Sequence, residues 1–488
     1  MPALTFSPVF NDLQPAIVWA HFARLCAIPR PSKSEARLRE NLQAWAEERG
    51  LTVLVDTVGN LIIRKPASIG REAVPGVVLQ AHLDMVCQKN AETAHDFTRD
   101  PISPVLRDGW LLAEGTTLGA DNGIGVALAL ALLEDTSFEH GPIEALFTVD
   151  EESGMGGVRG LAPDVLDGRL LLNLDTEEWG EFYLGCAGGI DVNVHRQSKA
   201  EAAPEDWQGV RIDVRGLCGG HSGMNINEGR GNAIKLLVRS LRQLERRWQF
   251  RLATLQGGTA RNALPREAFA IVMLPPEALA GLDGVLAALQ GTYRKELAGI
   301  DDKVSVSFTP CAARRVMSQA DQSLWLASLH AAPQGVRRMS VQLPGVVETS
   351  DNLGVVKLDA DAGECCFMVR SLFDSAGVEL ADEIASLFAL SGTCAEQSGY
   401  YPGWTPNPES PLLAVCQKAF RQTFGAESTT QVVHAGLECG LIAGKYPDMD
   451  MVSLGPTIHD AHAPGESVEV RSVDQCWRLL KAILAAID

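Results

Sequence analysis

The stretch VVLQAHLDMV (77–86) decides the fold reading. Its apolar run has the length of a buried strand, and it ends on His82 and Asp84, two residues apart and therefore on one face of an extended chain. Two later stretches repeat the arrangement. IEALFTVDEE (143–152) ends on Asp150, Glu151 and Glu152, and LLLNLDTEE (170–178) runs into Asp175. Between the first two lies DNGIGVALALALLED (121–135), apolar on nearly every side, which predicts a helix buried against a sheet. Strands alternating with helices and ending in ligand-type side chains predict an α/β domain whose site lies beyond the carboxyl ends of its strands.

Outward from this segment, residues 13–48 carry apolar positions at helical spacing, broken at Pro29 and Pro31. LTVLVDTVGNLIIRK (51–65) reads as a β-hairpin turning at Gly59-Asn60. The composition changes near Gly185–Gly189. Beyond it, RIDVRGL (211–217), a helix near 233–247, RLATLQGG (251–258), AFAIVML (268–274), a helix near 279–297 and KVSVSFT (303–309) give the βαββαβ order of a ferredoxin-like α+β module. A strand-rich stretch is expected to run from there to about Ser398, with DNLGVVKLDA (351–360) and GECCFMVRSLF (363–373) as strands. YYPGWTPNPESP (400–411) reads as a Pro-rich hinge, and amphipathic helix resumes after it. The expected organisation is one domain interrupted by another: 1–187 and 400–488 form the first, and 188–399 an inserted α+β domain.

The chain has 488 residues, 61 acidic against 42 basic, for a net charge of −19. That sign is wrong for a protein that neutralises phosphates, so nucleic acid is not an expected partner. The longest apolar run, Val126–Leu133, is far shorter than a membrane span, and no export leader is read at the start. The 11 cysteines contain no CxxC, which fits a reduced cytoplasm; Cys87, Cys365 and Cys366 read as small buried apolar residues.

Each polar element alone has a bland reading: a strand-end His, a helix cap at Asp121, a solvated run at 150–152, a loop acid at Asp175, a structural His in HDAHAPGE (459–466). Together they form a mixed nitrogen and oxygen donor set suited to zinc, manganese or cobalt. His82, Asp121 and Asp175 could surround one ion, and Asp121, Glu152 and His462 a second, with Asp121 bridging. Glu151 would then be free to take a proton from water. Phosphate-loop and HExxH signatures are missing, and GHSGM (220–224) fails the serine-nucleophile elbow at its last position.

The segments AHLDMV, GADNGIG, DEESGM, LNLDTEE, GGHSG, ARNAL and AHAPGE together resemble the metallopeptidase family M20. The resemblance implies a zinc-peptidase-like catalytic domain, with a mixed central sheet flanked by helices and interrupted by a lid. It implies two divalent ions, zinc foremost, on His82, Asp121, Glu152, Asp175 and His462. Glu151 is the implied general base and Asp84 the residue that orients His82. His221 is implied to stabilise the oxyanion, Asn262 and Arg370 to hold the substrate carboxylate, and Gly436 to line the pocket as catalytic-domain backbone. The Ala-His-x-Pro register favours His462 over His459.

The GADNGIG and TVDEESGM forms resemble the dipeptidase branch of the family, which implies cleavage of short dipeptides, Xaa-His and carnosine-like ones among them. The resemblance leaves two arrangements open, a homodimer through the lid domain or a long lid that supplies internally the contacts shorter relatives take from a partner; a cytoplasmic location is expected from the cysteine usage. The alternatives are an amidohydrolase acting on N-acyl amino acids or other short peptides, and a metal-stabilised scaffold without turnover.

Overall fold

The structure is a computed structural model that describes residues 6–488. The chain divides into two compact units. The first runs to Gly185 and resumes as Pro406–Val432 and Leu437–Asp488; the second comprises Cys186–Thr405 and Val433–Gly436.

In the first unit the three strands that opened the sequence reading lie side by side. Val77–His82 pairs in parallel with Ile143–Thr148 on one side and Leu170–Asn173 on the other, so His82 stands opposite Thr148 and their carboxyl ends share one edge. The hairpin forms as expected from Thr52–Val55 and Leu61–Lys65, and its second strand pairs antiparallel with Ile143–Thr148. The late strand Asp450–Ser453 enters the same sheet in parallel beside Leu170–Asn173, and Glu181–Cys186 and Thr429–Val433 complete it. The helix Ala120–Glu134 packs on Val77–His82 and on the helix Ala16–Cys26. It is buried continuously from Asn122 to Leu133, as a stretch apolar all round must be.

In the second unit, Ser305–Cys311, Gln208–Arg215, Ala268–Leu274 and Arg251–Gly257 lie in that spatial order and pair antiparallel, which is the 4-1-3-2 arrangement of the ferredoxin-like module. The sheet then continues through Val347–Leu358, Ala362–Ser371, Gly188–Gln197 and Cys394–Tyr401.

Several expectations need correction. The stretch read as strand-rich contains two helices, Gln319–Ala331 and Asp374–Leu390. The first starts where Ser318 caps the N–H of Asp321, a local signal that the strand reading passed over. The hinge begins later than 400, because Tyr401 still pairs with Gly189 in the second sheet. The units therefore change at 185/186 and 405/406 rather than at 187/188 and 399/400. Val433–Gly436 also groups with the second unit, so Gly436 is not first-unit backbone.

Candidate active site

The carboxyl edge of the first sheet gathers the donors. His82 ends its strand with only 1% of its side chain exposed, and its Nε2 lies 3.1 Å from Asp121 Oδ1 and 3.4 Å from Asp175 Oδ1. His462 Nε2 lies 3.0 Å from Asp121 Oδ2 and 3.1 Å from Glu152 Oε2. The two oxygens of Asp121 thus face two separate imidazole and carboxylate pairs. Donors sharing one tetrahedral ion at ordinary bond lengths are roughly 3.3 Å apart, so these spacings fit. Glu152 Oε1 is buried without a hydrogen-bond partner, as befits an atom meant for a ligand.

The electrostatics point the same way. Hydrogen bonds to Asp121 and Glu152 raise His462 to about 11. Burial works against a charged His82, yet the surrounding carboxylates carry it well above the ordinary value. Burial would also raise Asp121, but the two imidazoles outweigh it and hold the carboxylate well below its usual range. Asp175 is pushed up to about 6, chiefly by burial. A cluster that draws positive charge onto every available base has the demand of a cation site.

The local backbone serves these positions. Asp84 accepts from the backbone N–H groups of Glu151 and Glu152 at 3.0 and 3.1 Å and from Ser32 Oγ at 2.7 Å, and it stands 3.4 Å from His82 Nδ1. It therefore sets the acidic turn as well as the imidazole, a wider role than the sequence reading allowed. Its carboxyl is held at about 2, burial being overcome by His82, Ser32 and the turn amide. Glu151, beside the donors, is pushed well above the carboxylate range by burial. Asp150 and His462 have φ of 56° and 66°, left-handed values uncommon for side chains other than glycine and often found at functional positions.

Three residues with no assigned role support the site. Glu466 accepts from the backbone N–H groups of Leu118, Gly119, Ala120 and Asp121 at 2.6–3.1 Å, fixing the turn that presents Asp121. Arg30 donates to the carbonyls of Leu83, Asp84 and Gly119. Glu438 is fully buried, accepts from Gln80 and Thr148, and is raised by burial to about 7. Glu466 sat within a quoted motif and Glu438 two residues beyond the expected Gly436, though neither had a role of its own; Arg30 stood in no pattern that marks a site. His459 stacks on Trp110 with ring centroids 4.4 Å apart, whereas His462 Nε2 is the ring nitrogen of this loop that faces Asp121 and Glu152.

The remaining expected residues lie in the second unit. Arg370 is buried and donates to Ser222 Oγ at 3.2 Å and to Tyr401 Oη at 2.9 Å, and its Nη2 is 3.3 Å from His221 Nε2. His221 Nδ1 accepts from the N–H groups of Gly223 and Met224, which places the ring hydrogen of the neutral tautomer on Nε2. Burial and Arg370 push His221 down to about 4. Two donors therefore converge with no acceptor between them, an arrangement suited to an anion. Asn262 accepts the Ser222 N–H through its carbonyl at 2.8 Å and has an exposed side chain. Gly223 has no room for a Cβ, which would lie 1.8 Å from the carbonyl oxygen of His434, two residues before Gly436.

An α/β fold with this paired donor set is that of a metallopeptidase, and the model of peptidase family M20/M25/M40 matches residues 78–486. The chain belongs to that family. It is similar to the cytosol non-specific dipeptidase of Escherichia coli K12, 44% identical over 478 residues that cover 98% of this chain and 99% of the relative. Its fold matches the crystal structure of aminoacylhistidine dipeptidase from Vibrio alginolyticus with a TM-score of 0.89, at 44% identity over 98% of both chains. Aminopeptidase PepT from Bacillus cereus shares the fold alone, with a TM-score of 0.56 at 18% identity over 97% of this chain and 99% of that one.

Proposed function

We propose that the chain is a dinuclear metal-dependent dipeptidase that cleaves short dipeptides, Xaa-His substrates such as β-alanyl-histidine among them. The observation that carries this is the split of Asp121, whose two oxygens address His82 with Asp175 and His462 with Glu152. Two divalent ions, zinc foremost and manganese or cobalt also compatible, would supply charge to polarise the scissile carbonyl and to acidify water.

The protein's own groups do the rest. Glu151, whose affinity for a proton is raised by burial, takes a proton from water and passes it to the leaving amine nitrogen. Asp84 keeps His82 in the tautomer that offers Nε2. In the second unit the Nε2–H of His221 is assigned to the developing oxyanion, and Arg370 with Asn262 to the substrate's free carboxylate. Gly436 supplies backbone to the pocket wall. The names of the two relatives at 44% identity differ in breadth, one non-specific and one for aminoacyl-histidine, so Xaa-His peptides are read as favoured substrates within a wider dipeptide range. Among the described residues no helix is long and apolar enough to cross a membrane, and a cytoplasmic location is part of this proposal.

The test is hydrolysis of β-alanyl-histidine, plain dipeptides and N-acyl amino acids, before and after chelation and re-addition of zinc, manganese or cobalt. Metal-restored cleavage of dipeptides is expected, with Xaa-His among the best. Restored cleavage of N-acyl amino acids alone would overturn the dipeptidase reading, and no cleavage by any metal-loaded form would overturn catalysis.

A further inference from the structure

We infer that the second unit carries a separate divalent-cation site of the zinc type, formed by His195, Cys394 and Glu396 on the exposed face of its sheet. Gly188–Gln197 and Cys394–Tyr401 run antiparallel with His195 directly opposite Cys394 and Asn193 opposite Glu396. Opposed residues share a face, as do residues two apart on one strand, so the imidazole, thiol and carboxylate project from the same side. One ligand atom from each lies within 4.8 Å of the other two. All three side chains are exposed, and Cys394 is a free cysteine.

The backbone behind these donors is anchored. Val194 and Cys365, whose side chains alternate to the other face, are buried in the core that includes Leu380, Ala381 and Ile384 of the helix Asp374–Leu390. The imidazole thus projects from a strand packed on its opposite face, whereas the thiol and carboxylate stand on the edge strand, so binding orders three exposed side chains. On its other flank His195 faces Glu364 across the sheet, a further carboxylate in the same row, which stands 4.0 Å from Lys357.

One thiolate, one imidazole and one carboxylate suit zinc better than magnesium or calcium, and three protein ligands leave a position for water. Binding exchanges the thiol proton for the metal ion, with no change of oxidation state. No part of the proposed dipeptidase machinery uses these residues, and the donor set of the first unit contains no sulfur. A sulfur-to-metal signal would therefore report the second-unit site alone.

The experiment is cobalt(II) titration of the full chain, reading bound cobalt per chain and the near-ultraviolet band of thiolate-to-cobalt charge transfer. The wild type should show that band, and zinc should abolish it. Cys394→Ser should lose the band and one bound ion per chain while retaining peptide hydrolysis. His195→Ala should lose the same ion, and Cys218→Ser, which alters another exposed cysteine, should keep it. Absence of a thiolate band in the wild type at excess cobalt, or a band that survives Cys394→Ser, would overturn the assignment.

Discussion

Each of the two units gathers a polar cluster, and the clusters are opposite in demand. In the first, Asp121, Glu152 and Asp175 surround two imidazoles and draw positive charge onto them. In the second, Arg370 faces a neutral His221 whose proton points toward the guanidinium, so two donors meet at one point. Histidine plays both parts. Carboxylates on Nε2 make His462 a strong base, whereas backbone amides on Nδ1 and a neighbouring arginine make His221 a weak one. A residue type at a motif position therefore predicts little until the groups around each ring nitrogen are known.

The comparison can be broken most severely at Glu151. Glu151→Gln should leave both ions bound and lower kcat by roughly 10²–10⁴-fold, read by turnover and metal content on one sample; near-normal turnover would remove it from proton transfer. His221→Ala should lower kcat by about 10²–10³-fold with metal content unchanged, and an unaltered kcat would end its assignment to the oxyanion. Arg370→Lys keeps the charge but loses the planar fork. It should raise KM by roughly 10–100-fold with a smaller change in kcat, and an effect confined to kcat would contradict carboxylate binding.

The smallest expected effect concerns stability. Asp351 of the second unit is buried and raised to about 7 chiefly by desolvation, with one oxygen unpartnered. A carboxyl whose folded pKa is raised contributes stability that is full below its unfolded value and is lost as pH rises through the folded one. Thermal unfolding should therefore show a decline in wild-type stability between about pH 4 and 7 that Asp351→Asn flattens. Parallel profiles for the two proteins would rule out this penalty.

Much of the first unit was legible because its signals are local. An apolar run of strand length ending in a carboxylate needs no knowledge of distant residues, and three such runs in succession marked the edge where the donors gather. His462 was harder to place, since it lies in a loop with His459 as a rival, and only the stacking of His459 on Trp110 shows what the rival does. The roles of Arg30 and Glu438 were invisible because they lie in which carbonyls and side chains surround the two residues, which spacing does not encode. In the second unit the helices Gln319–Ala331 and Asp374–Leu390 were missed where mixed apolar runs outweighed weak caps. The residues expected there by resemblance, His221 and Arg370, do meet, although 149 positions separate them.

The strand Asp450–Ser453 lies inside the first sheet, between Leu170–Asn173 and Glu181–Cys186, and Glu466 braces the turn that carries Asp121. During synthesis from the amino end, the ribosome releases the whole inserted unit before either piece exists. Until then the first sheet lacks the strand that separates Leu170–Asn173 from Glu181–Cys186, and the donor cluster lacks His462. The nascent chain thus has no complete donor cluster before residues 450–466 emerge, and removing residues 449–488 would cost that cluster rather than trim an edge.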